Sequence, residues 1–361
     1  MQPILIMGAG KIGSLIAFLL AHSKDYSVYL ADTINENSYV KRLGDLPNFK
    51  YVILDAKNEN AIVDFVKENN ITAIASCLPF YFNEHIANVA LKTNIHYFDL
   101  TEDVKTTTMI KQLARDSMRA FVPQCGLAPG FISIIANHLM KNFPQLNTVK
   151  MRVGALPINI SNALQYSLTW STDGLINEYG NHCQAIADGK LVTVMPLEGL
   201  EEIKMDGLTY EAFNTSGGIG SLVETYANKV SNLSYKTIRY PGHCSKIKFL
   251  MNDLNLNQDR ETLKRVLEHA IPKTYQDVVL AYVSVNGLQQ NEFIEENYVR
   301  RFYPKKINDI SWSAIQLTTA SEICAIIDLV LSKPNHYRGF LKQEDFSFAD
   351  IISNRFGKYF E

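Results

Sequence analysis

The chain is poor in cysteine: it has five, an odd number, and no Cys-x-x-Cys pair. That argues against a disulfide framework and against a structural zinc site, so no metal is expected. There is no excess of one charge either. Lysine and arginine total 35 against 37 aspartate and glutamate, a net charge of −2, with no long basic run to bind nucleic acid or an anionic membrane. Repeats, low-complexity tracts and Gly/Ser linkers are also missing. The first apolar run meets a glycine turn at Gly8, too soon for a secretory h-region, and no segment reads as membrane-spanning; the stretch Ile323 to Leu331 carries Asp328 and fits a buried helix. These absences leave a cytoplasmic, globular protein that works on small molecules as the expectation. The 47% hydrophobic content over 361 residues suffices for two domains with real cores.

What is present starts at the beginning. Ile4-Leu5-Ile6-Met7 runs into Gly8-Ala9-Gly10-Lys11-Ile12-Gly13, and the next apolar run, Val28-Tyr29-Leu30-Ala31, ends on Asp32. Strand, G-x-G-x-x-G turn, helix, strand and acid make the dinucleotide-binding fingerprint. Gly8 permits the tight turn, Gly10 leaves room for a pyrophosphate, and Gly13 lets the helix pack on the strand. The helix N-terminus, with Lys11 and Ile12 in its first turn, offers amides to phosphate. Asp32 is placed to accept a hydrogen bond from a ribose 2′-hydroxyl and would repel a 2′-phosphate, so the expected cofactor is NAD.

Short apolar strands then alternate with helical segments: Lys50 to Leu54, Thr72 to Leu78, Ile95 to Leu100 and Ala120 to Gln124. Such alternation implies an α/β, Rossmann-type, doubly wound parallel sheet over residues 1–130, with ligands at the carboxyl ends of its strands. Those ends carry Asp55, Ser76-Cys77-Leu78-Pro79, Asp99-Leu100-Thr101 and Cys125-Gly126-Leu127-Ala128-Pro129-Gly130. Asp55, Ser76, Cys77, Gly126 and Pro129 are candidates for the cofactor; Cys77, Leu78 and Thr101 are candidates for the substrate.

From about Thr148 strands succeed one another: Val149 to Ala155, Leu164 to Trp170, Leu191 to Met195, then a hairpin of Glu202 to Met205 and Thr209 to Phe213 about Asp206-Gly207. A second hairpin is expected from Asp277 to Val285 and Glu292 to Phe302, its loop starting at Asn286-Gly287. Helices are expected near Thr172 to Tyr179, Gly220 to Tyr226 and Arg260 to Ala270. This is an inserted α+β substrate domain of mainly antiparallel sheet, residues 131–308. Trp312, Ile315, Ile323, Ile326, Ile327 and Val330 follow a helical spacing, and residues 309–361 are expected to return to the first domain.

In this order the chain resembles the saccharopine dehydrogenase-like enzymes, and within them the lysine 6-dehydrogenase branch. The residues that carry the resemblance are Met7 to Gly13, Leu78-Pro79, Gly126 to Gly130, Gly154-Ala155-Leu156-Pro157, Tyr166 to Ser171, Leu175 to Tyr179, Glu211 to Gly218 and Tyr235 to His243. The resemblance implies a second domain that closes over an amino-acid substrate, a homodimer joined through that domain, and oxidation of a C–N bond. In the lysine branch the ε-carbon of L-lysine gives a hydride to NAD, and hydrolysis of the imine releases ammonia and 2-aminoadipate 6-semialdehyde, which cyclises. Saccharopine, with a second amino-acid arm, needs more cations. Where that branch has an arginine in the tryptophan strand and an Asn-Arg-Asp motif, this chain has Gln165 and Asn214-Thr215-Ser216-Gly217-Gly218, which favours the smaller substrate.

Hydride transfer from an amine needs its neutral form, a general base and an anchored substrate. Arg239 is the candidate for the substrate carboxylate, with a surface arginine as the alternative. His243 is the candidate for handling protons or a polar substrate group, against a helix-capping histidine. Asp99 would hold the amine or act as base, or else cap the following helix. Glu178 and Thr215, in motifs of the resemblance, are further substrate candidates, Glu178 being equally able to pack between domains. A non-catalytic NAD-binding sensor and a saccharopine dehydrogenase or reductase are the competing functions.

Overall fold

The computed structural model describes residues 1–35 and 37–360. The chain divides into two compact units. The first comprises Met1–Gly130, Asn308–Ile310 and the segment from Gln316 onward; the second comprises Phe131–Ile307 and Ser311–Ile315.

The first unit is built on β1 (Gln2–Met7), β2 (Tyr26–Asp32), β3 (Phe49–Ile53), β4 (Ala73–Ser76), β5 (His96–Asp99) and β6 (Ala120–Val122). A seventh strand, Gly339–Phe340, joins beside β6; too short to show a periodicity, it is absent from the sequence reading. Every pairing is parallel, and the order is Gly339–Phe340, β6, β5, β4, β1, β2, β3. The direction of winding reverses between β1 and β4, which opens the crevice in which doubly wound sheets hold ligands. β4, β5 and β6 are buried at every residue, as strands covered on both faces must be. Helix Lys11–His22 buries each residue from Gly13 to Ala21 against this sheet.

Helix Ala314–Ser332 is a correction to the sequence reading. Its 19 residues, with a mean hydropathy of 1.6 in the best window, are long and apolar enough to cross a membrane, yet 83% of that window is buried inside the protein. Buried Glu322 and half-buried Asp328 lie on it, which fits a core helix.

The second unit holds β7 (Gln145–Pro157), β8 (Cys183–Ala187), β9 (Lys190–Val194), β10 (Glu201–Met205), β11 (Leu208–Asn214), β12 (Val230–Arg239), β13 (Asp277–Gln289) and β14 (Glu292–Phe302). Their sheet runs β10-β11-β12-β7-β13-β14, with β8 also pairing β12 and β9. All pairs are antiparallel except β12 with β7, where Leu233 lies opposite Val149 and Thr237 opposite Val153.

Two local expectations fail in this unit. Leu164 to Trp170 is not a strand: Gln165 takes φ +54, the Asn162 side chain donates to the Tyr166 carbonyl at 2.6 Å, and Leu168 N bonds Pro272 O. The alternating side chains Tyr166 and Leu168 are buried in an apolar cluster with Leu175, Tyr179, Phe213 and Ile247, so the alternation reports burial without a ladder. Asn286-Gly287 does not begin a loop either. β13 continues to Gln289, and at Asn286/Gly287 its register against β7 shifts, at a place where a Cβ on residue 287 would lie 2.3 Å from Gln145 O and glycine is needed. The turn falls at Gln290 and Asn291, both with positive φ.

Candidate functional site

In the first unit the candidates gather at the carboxyl ends of β1 and β4. Gly8 has φ +101, and a Cβ there would lie 2.9 Å from Cys77 O. At Gly13 a Cβ would come to 1.9 Å from Gly8 O, so the helix can sit on the turn only with glycine at that place. Exposed Gly10 differs: nothing lies within 4 Å of the position its Cβ would occupy. The turn itself does not require that glycine, and the open space is what an approaching pyrophosphate needs.

Asp32 ends β2 against this turn. Its Oδ2 accepts Ala9 N at 2.8 Å and its Oδ1 accepts Thr33 N at 2.7 Å. The carboxylate is half-buried and fixed at the place where the fingerprint puts a ribose. Lys11 and Ile12 open the helix, and the Lys11 carbonyl accepts Gln316 Nε2 at 2.8 Å. Ser76, at the end of β4, donates to Asn83 Oδ1 at 2.6 Å, and Cys77 N bonds Met7 O. The Cys77 thiol is pushed up to about 12 by burial and then by Asp99, so it is no nucleophile. Leu78 packs beside Gly8. Asp55, two residues beyond the Asp32 partner Ile53, is exposed, and its carboxylate accepts Lys57 N at 2.9 Å.

Asp99 is fully buried, and its oxygens are spoken for. Oδ1 accepts Thr101 N at 2.9 Å and Gln124 N at 3.0 Å, while Oδ2 accepts the Tyr97 hydroxyl at 2.7 Å. Burial raises its pKa to about 6 even against these bonds. Asp99 therefore ties the end of β5 to the loop after β6, with both oxygens engaged; the cap of helix Val104–Leu113 is Asp103. Thr101 is buried too, its hydroxyl accepting Asp103 N.

The residue that sequence reasoning missed is Glu102, immediately after Thr101. Its Oε1 is shielded from solvent and has no hydrogen-bond partner among the described residues, and burial, followed by Asp103 and Asp99, lifts its pKa to about 7. A carboxylate just beyond a strand end was the available signal; Asp99 drew attention because it sits on the strand.

Behind β6, Gly126 has φ +104 and donates its N–H to Glu322 Oε2 at 2.5 Å. A Cβ at Gly130 would approach Glu322 Oε1 to 3.1 Å. Glu322 has no exposure, and burial raises its pKa to about 8, so at neutral pH it is a protonated acid. Pro129 lies within this turn, joined to Ala128 by a cis peptide.

In the second unit Arg239 ends β12 with 3% exposure. Its Nε donates to the Tyr179 hydroxyl at 2.8 Å and its Nη1 to Ile238 O at 2.8 Å, and its guanidinium lies 5.0 Å from the centre of the Tyr166 ring. No carboxylate forms an ion pair with it among the described residues. Burial works against its charge, but Tyr179, Tyr166 and Glu178 outweigh that, and it stays protonated. Glu211, opposite Arg239 across the β11–β12 register, is occupied elsewhere: its oxygens accept Gly242 N at 2.7 Å and Cys244 N at 2.6 Å.

His243 begins helix His243–Lys248 with no solvent exposure. Its Nδ1 is 2.7 Å from Leu164 O and must donate there, so Nε2, 3.1 Å from the Tyr179 hydroxyl, is the acceptor. Burial and then Arg239 lower its pKa to about 3. Expected to handle protons or bind a polar group of the substrate, His243 has both nitrogens engaged and fixes Tyr179, whose oxygen faces Arg239. Glu178, on helix Thr172–Gly180, is buried and accepts Ser216 N at its backbone carbonyl. Thr215 next to it is buried, with its Oγ1 unpartnered. Arg239, Tyr179, Tyr166 and His243 thus form one cluster, with Glu178 acting on Arg239 through space.

Two family models cover this arrangement almost end to end: a saccharopine dehydrogenase NADP binding domain matches residues 4–126, and a saccharopine dehydrogenase C-terminal domain matches residues 126–358. The chain belongs to the saccharopine dehydrogenase family. Among relatives, the saccharopine dehydrogenase [NADP(+), L-glutamate-forming] of Saccharomyces cerevisiae is 22% identical over 202 residues, 54% of this chain and 44% of that one. The protein of the same name from Schizosaccharomyces pombe is 22% identical over 211 residues, 56% and 46% of the two chains. The matched stretch thus spans about half the length of these curated relatives. The fold is shared with apo saccharopine dehydrogenase (L-Glu forming) from S. cerevisiae, at a TM-score of 0.74 and 15% identity over 97% of this chain and 95% of that one. Within the saccharopine dehydrogenase family, then, the first unit is the nucleotide-binding module.

Proposed function

We propose that the protein oxidises the C6–N bond of L-lysine with NAD, giving 2-aminoadipate 6-semialdehyde and ammonia. The observation that carries the reading is Arg239, a guanidinium buried in an aromatic cluster without an ion pair among the described residues. Glu178 favours the charge through space, but burying a guanidinium with no carboxylate in ion-pair contact is costly, and a substrate carboxylate would supply that contact. Tyr179, fixed by His243, sets the orientation of the guanidinium.

The Gly8–Gly13 turn accommodates a dinucleotide, because the space beside Gly10 is open and Asp32 is held on Ala9 N. When bound, the nicotinamide supplies the hydride acceptor. Asp32 supports NAD, since a 2′-phosphate beside its carboxylate would be repelled. Glu102 is the general base of this reading. With a pKa of about 7 and an Oε1 unpartnered among the described residues, it takes a proton from the ε-ammonium so that the amine lone pair can expel the hydride, passes that proton to solvent, and then moves one from the water that adds to the imine carbon onto the departing amine. A homodimer and a cytoplasmic location belong to the same reading, supported by the family resemblance and by five free cysteines.

A second reading has one specific support: the named relatives are NADP-dependent saccharopine dehydrogenases. Product analysis separates the two. Lysine oxidation releases ammonia and consumes NAD, whereas saccharopine cleavage releases glutamate. Coenzyme reduction with saccharopine and NADP but not with lysine would replace the first reading by the second, and no turnover with either would leave a nucleotide-binding sensor.

A further inference from the structure

The parallel sheet also has an amino-terminal edge, and there lies a cavity of about 740 Å³ lined wholly by residues of the first unit. Lys67, Lys92 and Arg119 line it, and no carboxylate does. Lys92 is paired with Glu59 outside it, but among the described residues Lys67 and Arg119 make no ion pair. Arg119 spends its Nε on Asn94 O at 3.0 Å. Ile71, Ile95, Leu331 and Pro334 provide an apolar wall.

His96, the first residue of β5, also lines this cavity and is 2% exposed. Its Nδ1 accepts Ala120 N at 3.1 Å, which places the ring proton on Nε2. That Nε2 is shielded from solvent and has no hydrogen-bond partner among the described residues. An unsatisfied buried donor costs about 1–3 kcal/mol, so its place beside two unpaired cations calls for an acceptor. Burial and then Arg119 lower the His96 pKa to about 4, so the ring is a neutral donor of fixed tautomer at physiological pH.

We propose that this cavity binds a small organic oxyanion, its phosphate or carboxylate head on His96 Nε2–H, Arg119 and Lys67 and its apolar body against Ile71, Ile95 and Leu331. The volume suits a metabolite-sized ligand, for which sites of about 300–1,000 Å³ are usual. The site is separate from the dinucleotide turn: His96 and Asp99 stand at opposite ends of β5.

The test is calorimetric titration of the full chain, saturated with the nicotinamide coenzyme it binds, using phenyl phosphate, benzoate and, as a neutral control, phenol. One site per chain is expected for phenyl phosphate or benzoate, and the tighter of the two identifies the head group. The double variant Lys67→Gln/Arg119→Gln, whose side chains stand at the surface, should keep its Tm and lose affinity by about 10- to 100-fold. The His96 Nε2–H resonance should move downfield when the anion binds. Absence of binding by both anions at millimolar concentration overturns the proposal, as does equal affinity in the double variant or equal binding of phenol.

Discussion

Replacing Arg239 by glutamine separates a substrate anchor from a structural arginine. In the folded protein the change removes the bond from Nε to Tyr179, worth about 1 kcal/mol, and the stacking on Tyr166, worth about 0.5–2 kcal/mol. Against these losses, a buried charge with no ion pair among the described residues is eliminated, which relieves a desolvation cost of several kcal/mol less the lost attraction to Glu178. The opposing effects leave stability nearly level, so the variant should melt within a few degrees of the parent. Activity should not survive in the same way. Truncating one partner of a buried, hydrogen-bonded charge pair costs about 2–5 kcal/mol, so kcat/KM for the amino acid should fall by about 30-fold to several thousandfold. Arg239→Lys, keeping charge but losing the fork, should fall in between. The assay is paired: Tm by differential scanning fluorimetry and kcat/KM from coenzyme reduction. A well-folded glutamine variant with kcat/KM within about threefold of the parent would refute the reasoning. So would a collapse of Tm, which would make Arg239 a structural residue.

Glu102→Gln should lower kcat by about 10²–10⁴-fold and abolish the acid limb of the kcat/KM profile, the parent limb lying near the pKa of about 7; a limb that persists in the variant excludes Glu102 as the base. Glu322 has its pKa raised from 4.5 to about 8, so the folded state binds its proton more tightly than the unfolded state does. Its stabilising effect is therefore complete below pH 4.5 and is lost as pH rises towards about 8. Glu322→Gln should flatten the fall of Tm over that interval, and parallel Tm–pH curves would contradict the assignment. Gly10→Ala should leave Tm close to the parent value and weaken dinucleotide binding by at least about tenfold, because the added methyl enters space that only a ligand uses. Unchanged affinity in a fluorescence titration would show that the pyrophosphate does not approach there.

The parallel sheet was legible because its strands are covered on both faces and read as short apolar runs, and because glycine is sterically obligatory at positions 8 and 13. The Asp206-Gly207 hairpin followed from turn chemistry, both residues having positive φ. β12 was missed because Ser-Asn-Leu-Ser-Tyr-Lys-Thr is mostly polar; its partners β7 and β11 make it a strand. The reverse error occurred at Leu164 to Trp170, where alternation came from packing and Gln165 prevents a ladder. Within the candidate site, Arg239 and His243 could be named from their motif but not given roles. Tyr179, which sets the role of each, lies 60 residues from Arg239 and 64 from His243, and no spacing rule connects them. Glu102 and Asp99 reversed their apparent importance for a related reason. Which carboxylate is free depends on hydrogen bonds from Tyr97, Thr101 and Gln124 that become visible only in three dimensions.

In the proposed reaction a hydride leaves C6 of an amino acid. L-lysine deuterated at C6, incubated with the protein and NAD, should give reduced coenzyme carrying one deuterium, with an equal amount of ammonia and no glutamate. Coenzyme that stays oxidised with lysine, or reduction without transfer of deuterium, would contradict it.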